Sequence, residues 1–176
     1  MTERTVYTLG HSRHSIERFI GLAERHAVAL IADVRGQPFS RFNPQFNRER
    51  LREALAAAGI DYLWLGETLS GRPADPGFRD RAGAVDWPAV RAWPAFQADI
   101  ARIDAAAREC RLALVCAEED PVGCHRRFLL TPELLARGAE VRHIRGDGRI
   151  ETEHEVAERA RPKRSRHQPD LFEGSG

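Results

Sequence analysis

Residues 28–34, VALIADV, form an unbroken apolar run that ends at Asp33 and Val34. A strand buried on both faces has this signature, and it belongs in a parallel sheet covered by helices on either side. Much of the chain fits that frame. Val6 to Leu9 is a short first strand stopped by Gly10. Ser15 can cap a helix from Ile16 to about His26, with Ile16, Phe19, Ile20 and Ala23 on one face. A loop, GQPFSRFNPQF, leads to Asn47, which can cap the helix RERLREALAAAG, closed by Gly59. DYLWLG is a third strand. Residues 67–86 are rich in Gly, Pro and Asp and read as a long loop, either a functional flap or disordered. Pro94 starts a helix with Phe96, Ile100 and Ile103 at helical spacing. RLALVC is a fourth strand, and CHRRFLLTPELLARG is a helix in which Pro132 should introduce a kink or a split, with Thr131 as a second cap. AEVRHI is a fifth strand. The alternation predicts a single α/β domain, residues 1–156, built on a mostly parallel open sheet of about five strands with helices on both faces. A disordered basic tail, residues 157–176, should follow.

Length and charge narrow the function less than the fold. A chain of 176 residues suits one core. The net charge of +1 gives the whole chain no bias toward nucleic acid. Lys163 is the only lysine among 27 basic residues, which compositional bias explains, so the arginine excess carries no functional weight by itself. The cysteines Cys110, Cys116 and Cys124 are odd in number and follow no signal segment, which argues against a secreted disulfide scaffold. No stretch approaches the roughly 20 apolar residues of a membrane span. The expectation is a cytoplasmic protein without a membrane partner.

Three polar clusters end predicted strands: Gly10-His11-Ser12, Asp33-Val34-Arg35-Gly36, and the run CAEEDPVGCHR from Cys116 to Arg126. In a doubly wound sheet the carboxyl ends of the strands share an edge, and ligands bind there. Helix-start amides can lower a thiol pKa, so Cys124 is a candidate nucleophile, and Arg126 can hold a phosphate or carboxylate. The plainer alternative for Cys124 is a small buried residue. The Cys-x5-Arg loop of phosphatases and sulfurtransferases is absent: the required arginine positions are Val122 and Leu130. Cysteine and histidine spacing does not suit structural zinc, and no metal or cofactor is expected. Asp33 and Arg35, two apart on an extended chain, face one way. They read either as an internal ion pair or as an acid–base group beside an anion clamp. Glu118 is the better candidate for a general base raised by burial, and Glu119 for a solvated acid. His11 and His125 are candidate proton carriers, with a hydrogen-bonded core histidine as the alternative for His11. Gly10, Ser12, Arg35, Cys116 and Arg126 make up the expected substrate-binding set.

The segments YTLGHS, IADVRGQPFSRFNPQFN, GIDYLWLGETLSG, CAEEDPVGCHR and VRHI, in this order, resemble the family known as domain of unknown function 488. The resemblance runs from about Val6 to Gly148. It implies an α/β domain and a site at the positions just named, with no settled reaction.

The tail has its own pattern. Arg161, Lys163, Arg164 and Arg166 form a basic run suited to phosphate neutralisation, or simply a solvated segment. Gln168, Asp170, Leu171 and Phe172, in QPDLF, resemble the pentapeptide with which bacterial proteins dock on the replicative sliding clamp; Pro169 departs from the leucine often found second. The expectation is a DNA-maintenance enzyme that hydrolyses a nucleotide, base or phosphodiester and is tethered to the clamp. The alternatives are a non-enzymatic module binding DNA and the clamp, and a small-molecule enzyme with a cysteine nucleophile.

Overall fold

The computed structural model describes residues 4–161. Lys163, Arg164, Arg166, Gln168, Asp170, Leu171 and Phe172, on which the tail expectations rest, lie outside the described residues. The strands are β1 (Thr5–Gly10), β2 (Leu30–Asp33), β3 (Asp61–Trp64), β4 (Leu112–Cys116), β5 (Glu140–Ile144) and β6 (Ile150–Thr152). They form one sheet in the order β3-β2-β4-β1-β5-β6. Every pairing is parallel except β5 with β6. The helices are α1 (Ile16–Arg25), α2 (Arg48–Ala57), α3 (Gly66–Leu69), α4 (Trp87–Ala92), α5 (Pro94–Glu109), α6 (Thr131–Ala136) and α7 (Glu153–Ala160). None of them is long and apolar enough to cross a membrane.

Alternate strand residues divide between two apolar layers. On one face Val6, Leu112, Leu114 and Val141 pack with Phe96, Ile100 and Ile103 of α5 and Leu134 of α6. On the other, Leu9, Ile31, Ala113 and Val115 pack with Phe19 and Leu22 of α1 and Leu51 and Leu55 of α2. All five residues of β4 are buried, as its place between β2 and β1 requires. Each large side chain buried this way contributes roughly 1.5–3 kcal/mol of transfer free energy.

Several local expectations need correction. The sheet has six strands, and the fold does not stop near residue 156. Thr152 starts α7 with a reciprocal capping box to Glu155, and Val156 is wholly buried. Residues 157–160, assigned to the tail from sequence, are therefore helical. Residues 67–86 are not bare loop: they hold most of α3, a tight turn at Pro76–Phe78 and a bridge between Arg79 and Val85. Asn47 precedes α2 but its side chain does not cap it; the amide oxygen accepts instead from the Ser40 N–H at 2.7 Å. Thr131 is not a cap either. Arg126–Leu130 is a π-helical turn running directly into α6, and the Thr131 N–H donates to the Arg126 carbonyl. Pro132 lacks an N–H. The Phe128 carbonyl, four residues earlier, accepts from Arg91 Nη2 at 2.8 Å.

Candidate functional site

The ends of β1, β2 and β4 are laced together. Gly10 stands in register with Cys116. The His11 N–H donates to the Cys116 carbonyl and the Ser12 N–H to the Ala117 carbonyl, both at 2.9 Å. The Val34 N–H donates to the Val115 carbonyl at 3.1 Å. A Cβ on Gly10 would lie 1.8 Å from the Glu118 carbonyl oxygen, so the loop after β4 rests directly on the glycine backbone. Gly10 therefore serves as a seat for that loop and does not line the cavity.

Above this edge opens a cavity of about 1160 Å³. His11, Arg35, Cys116, Glu118, Cys124 and His125 all line it. Gly10, Ser12, Asp33 and Arg126 do not. The wall also includes Phe39, Trp64, Glu67, Arg72 and Phe128, which the sequence reading passed over. Trp64 was legible only as part of a strand. It lines the pocket because β3 is an edge strand beside the Asp33–Gly36 corner, and its indole N–H donates to the Arg35 carbonyl at 2.9 Å.

Asp33 is wholly buried. Its carboxylate accepts from the Arg35 N–H, from Arg35 Nε at 2.8 Å and Nη2 at 2.6 Å, and from the Tyr62 hydroxyl at 2.7 Å. Its acceptor sites are thus occupied, and Asp33 positions Arg35. The internal ion pair is the arrangement found. Burial first, and then the Asp33 charge, push the Tyr62 hydroxyl above its ordinary range, so it remains a donor.

His11 stacks on Phe46 with ring centroids 4.4 Å apart. Its Nδ1 lies 2.9 Å from the Ser12 carbonyl oxygen, which fixes the proton on Nδ1 and leaves Nε2 as the acceptor in the neutral ring. Ser12 has a φ of 46°, in the left-handed region. Burial, and then the nearby Arg35 charge, lower the His11 pKa to about 4, so the ring is neutral at pH 7.

The cysteines are the most unusual part of the site. Cys124 Sγ lies 2.9 Å from Cys116 Sγ, and both residues are buried. The His125 Nδ1 is 3.8 Å from Cys124 Sγ, while its Nε2 lies 3.2 Å from the Val34 carbonyl oxygen. His125 thus bridges the Cys124 thiol and the Val34 carbonyl. Arg126 is 1 % exposed; Nη2 donates to the Glu119 carbonyl at 2.6 Å, and Nε and Nη1 have no hydrogen-bond partner. A buried guanidinium with no carboxylate bound to it calls for another anion. An anion at Cys124 would suit it. The hydrogen bond from Cys116, then those of His125 and the Arg126 charge, pull the Cys124 pKa well below the thiol range. The same shared hydrogen bond and burial push Cys116 up. Arg126, expected to bind substrate, does not line the cavity; its charge favours the anionic form of Cys124.

The two glutamates exchange the characters expected of them. Glu118 is exposed at the cavity wall, so the burial expected of it is absent. Glu119 is the bound one: it accepts from Arg145 Nε at 3.0 Å, Arg145 Nη2 at 2.8 Å and the Gly146 N–H at 2.8 Å, and Arg145 holds its carboxyl below the usual range. Arg161, the one residue of the expected nucleic-acid set within the described residues, is exposed and pairs with Glu158 at 2.7 Å. Among the described residues, no three His, Cys, Asp or Glu side chains are placed to hold a metal ion.

No curated protein and no solved structure matches the chain. One family model does, that of "Domain of unknown function DUF488", over residues 15–131. The match takes in the Asp33–Gly36 corner, β3 and the whole Cys116–Arg126 run; Gly10-His11-Ser12 and the VRHI strand fall outside it. Covering well over half of the chain, it establishes that this protein belongs to the DUF488 family.

Proposed function

We propose that the protein is a cysteine-dependent hydrolase acting on a nucleotide or nucleobase, with DNA as the source of that substrate. The observation that carries this reading is a Cys116–Cys124–His125 cluster on the wall of a cavity that also presents aromatic rings and arginines, with the buried Arg126 charge favouring the Cys124 anion. Trp64, Phe39 and Phe128 offer faces for a flat base, and Arg35 and Arg72 offer charge for phosphate. Phe39 and Phe42 are 71 % and 94 % exposed on the loop beside the pocket, with Arg41 between them in sequence, a combination suited to stacking an unpaired strand.

In this reading His125 takes the proton of Cys124, and the thiolate attacks an electrophilic carbon of the substrate. A carbon–sulfur bond forms as the bond to the leaving group breaks; the leaving group departs with the electron pair and takes the proton from His125. Glu118 then removes a proton from water, which attacks the same carbon and returns the thiolate. The QPDLF sequence at Gln168–Phe172, outside the described residues, motivates the accompanying proposal that the enzyme is carried to DNA by a sliding clamp. The test is incubation of the full chain with single-stranded and duplex DNA bearing assorted base lesions, beside free nucleotides. Release of a base or fragment by the wild type, and its loss by at least a factor of ~10³ in Cys124→Ser, is expected from removal of a nucleophile. Turnover that survives in Cys124→Ser refutes the assignment. Turnover confined to free nucleotides refutes DNA as the source.

A further inference from the structure

Two sulfurs at 2.9 Å are within a small rotation of the ~2.05 Å of a disulfide bond. Neither thiol is a passive core residue, because both line the cavity and a small solute entering it meets them. We propose that Cys116 and Cys124 are a redox pair: hydrogen peroxide entering the pocket oxidises Cys124, and Cys116 closes on it to give an intramolecular disulfide. The proposal rests on the same thiolate as the hydrolase reading but not on any substrate of that hydrolase.

The step balances. The Cys124 thiolate attacks one peroxide oxygen; the S–O bond forms, the O–O bond breaks, and hydroxide leaves and is protonated to water. The product is a sulfenic acid at Cys124. Cys116 gives up its proton and attacks that sulfur; the S–S bond forms, the S–O bond breaks, and a second water leaves. Two thiols and one peroxide become one disulfide and two waters.

The division of labour follows from the surroundings. Cys124 has the features of an attacking thiol, with the Cys116 thiol, His125 and Arg126 all favouring its anion. Cys116, the protonated partner, is in contact from the start, so no loop has to move to resolve the sulfenic acid. Arg126 also sets the direction of the equilibrium. Closing the disulfide removes a negative charge that the buried Arg126 guanidinium, whose Nε and Nη1 have no hydrogen-bond partner, favours at Cys124. The oxidised form is thereby disfavoured, so the bond should be readily reduced, as in thiol pairs whose reduced form is stabilised by thiolate interactions. The third cysteine provides a control: Cys110 is at the opposite edge of the sheet, and burial pushes its thiol up.

The experiment treats the full-length Cys110→Ser protein with one equivalent of hydrogen peroxide, blocks remaining thiols by alkylation and measures the mass of the peptides. The expected product is a single linked pair, Cys116 to Cys124, lighter by two hydrogen atoms and reversed by reduced glutathione. It should form at least about tenfold faster in folded protein than in protein unfolded in urea, since only the fold brings the thiols into contact and activates one of them. In Cys116→Ser the sulfenic acid at Cys124 should persist, trapped by dimedone, and progress to sulfinic acid. In Cys124→Ser, Cys116 should resist. Separate over-oxidation of the two cysteines in Cys110→Ser, unreacted thiols, or equal rates in folded and unfolded chain would each overturn the redox pair. Because the readout is mass, those results leave the hydrolase reading standing, and a failed hydrolase assay leaves the redox pair standing.

Discussion

Charging His11 costs more in this protein than in water. Its ring is 4 % exposed and stacked on Phe46, and its pKa falls from 6.5 to about 4. Between those values the unfolded chain binds a proton that the native protein refuses, so stability drops as pH falls through that window. The full difference is about 3 kcal/mol, most of which should be gone at pH 4.5. Urea unfolding at pH 7 and pH 4.5 should therefore show a loss on acidification that is about 2 kcal/mol smaller in His11→Gln. An equal loss in both proteins would mean that His11 is not the group that titrates. The sequence marked His11 as either proton carrier or core histidine, and it has features of both: it lines the cavity yet is locked to the Ser12 carbonyl. Cysteine chemistry was harder to read. The spacing of Cys116 and Cys124 says nothing of a 2.9 Å contact made by a loop folding back, nor of the burial of Arg126. The glutamates were reversed for the same reason, since Arg145, the partner of Glu119, comes 26 residues later in the chain.

At the scale of the element, the apolar runs of β2 and β4 were legible because central parallel strands must be apolar on both faces. The three-residue β6 has too few residues to show any period. Its sequel α7 did carry a readable signal, Thr152 and Glu155 three apart before Val156. The π-helical turn at Arg126–Leu130 left no signal beyond Pro132 itself. Where strand meets loop, Gly10 is the residue on which the cavity edge depends. A methyl group there would collide with the Glu118 carbonyl, and backbone cannot swing away as a side chain can. Gly10→Ala should destabilise the domain by about 1–3 kcal/mol, the usual range for overpacking. It should also slow iodoacetamide labelling of Cys124, as the loop that carries the cysteine lifts off β1. A variant with wild-type unfolding and labelling would show that the loop does not rest on Gly10.

Across the whole molecule, the segment after β5 acts as a brace for the loop that carries the thiols. Arg145 binds Glu119 and, through a short contact, Glu151 of β6. Arg159 of α7 holds both oxygens of Asp120, at 2.7 and 2.9 Å, and reaches Glu151 at 2.9 Å. Two guanidiniums and three carboxylates thus tie the site loop to the last strand and helix, and Arg159 holds the Asp120 carboxyl low. No single-element pattern predicts such a network, which joins residues from three parts of the chain. Its ion pairs are partly exposed, so each contributes only ~0.2–1 kcal/mol, weakened by salt. Arg159→Ala should therefore lower stability by about 1 kcal/mol, or roughly 2–4 °C in Tm for a domain of this size, and less at high salt. It should also change the rate at which Cys124 is alkylated, because Asp120 lies in the loop between the two cysteines. An Arg159→Ala variant with wild-type Tm and wild-type alkylation rate would show that α7 does not brace the loop.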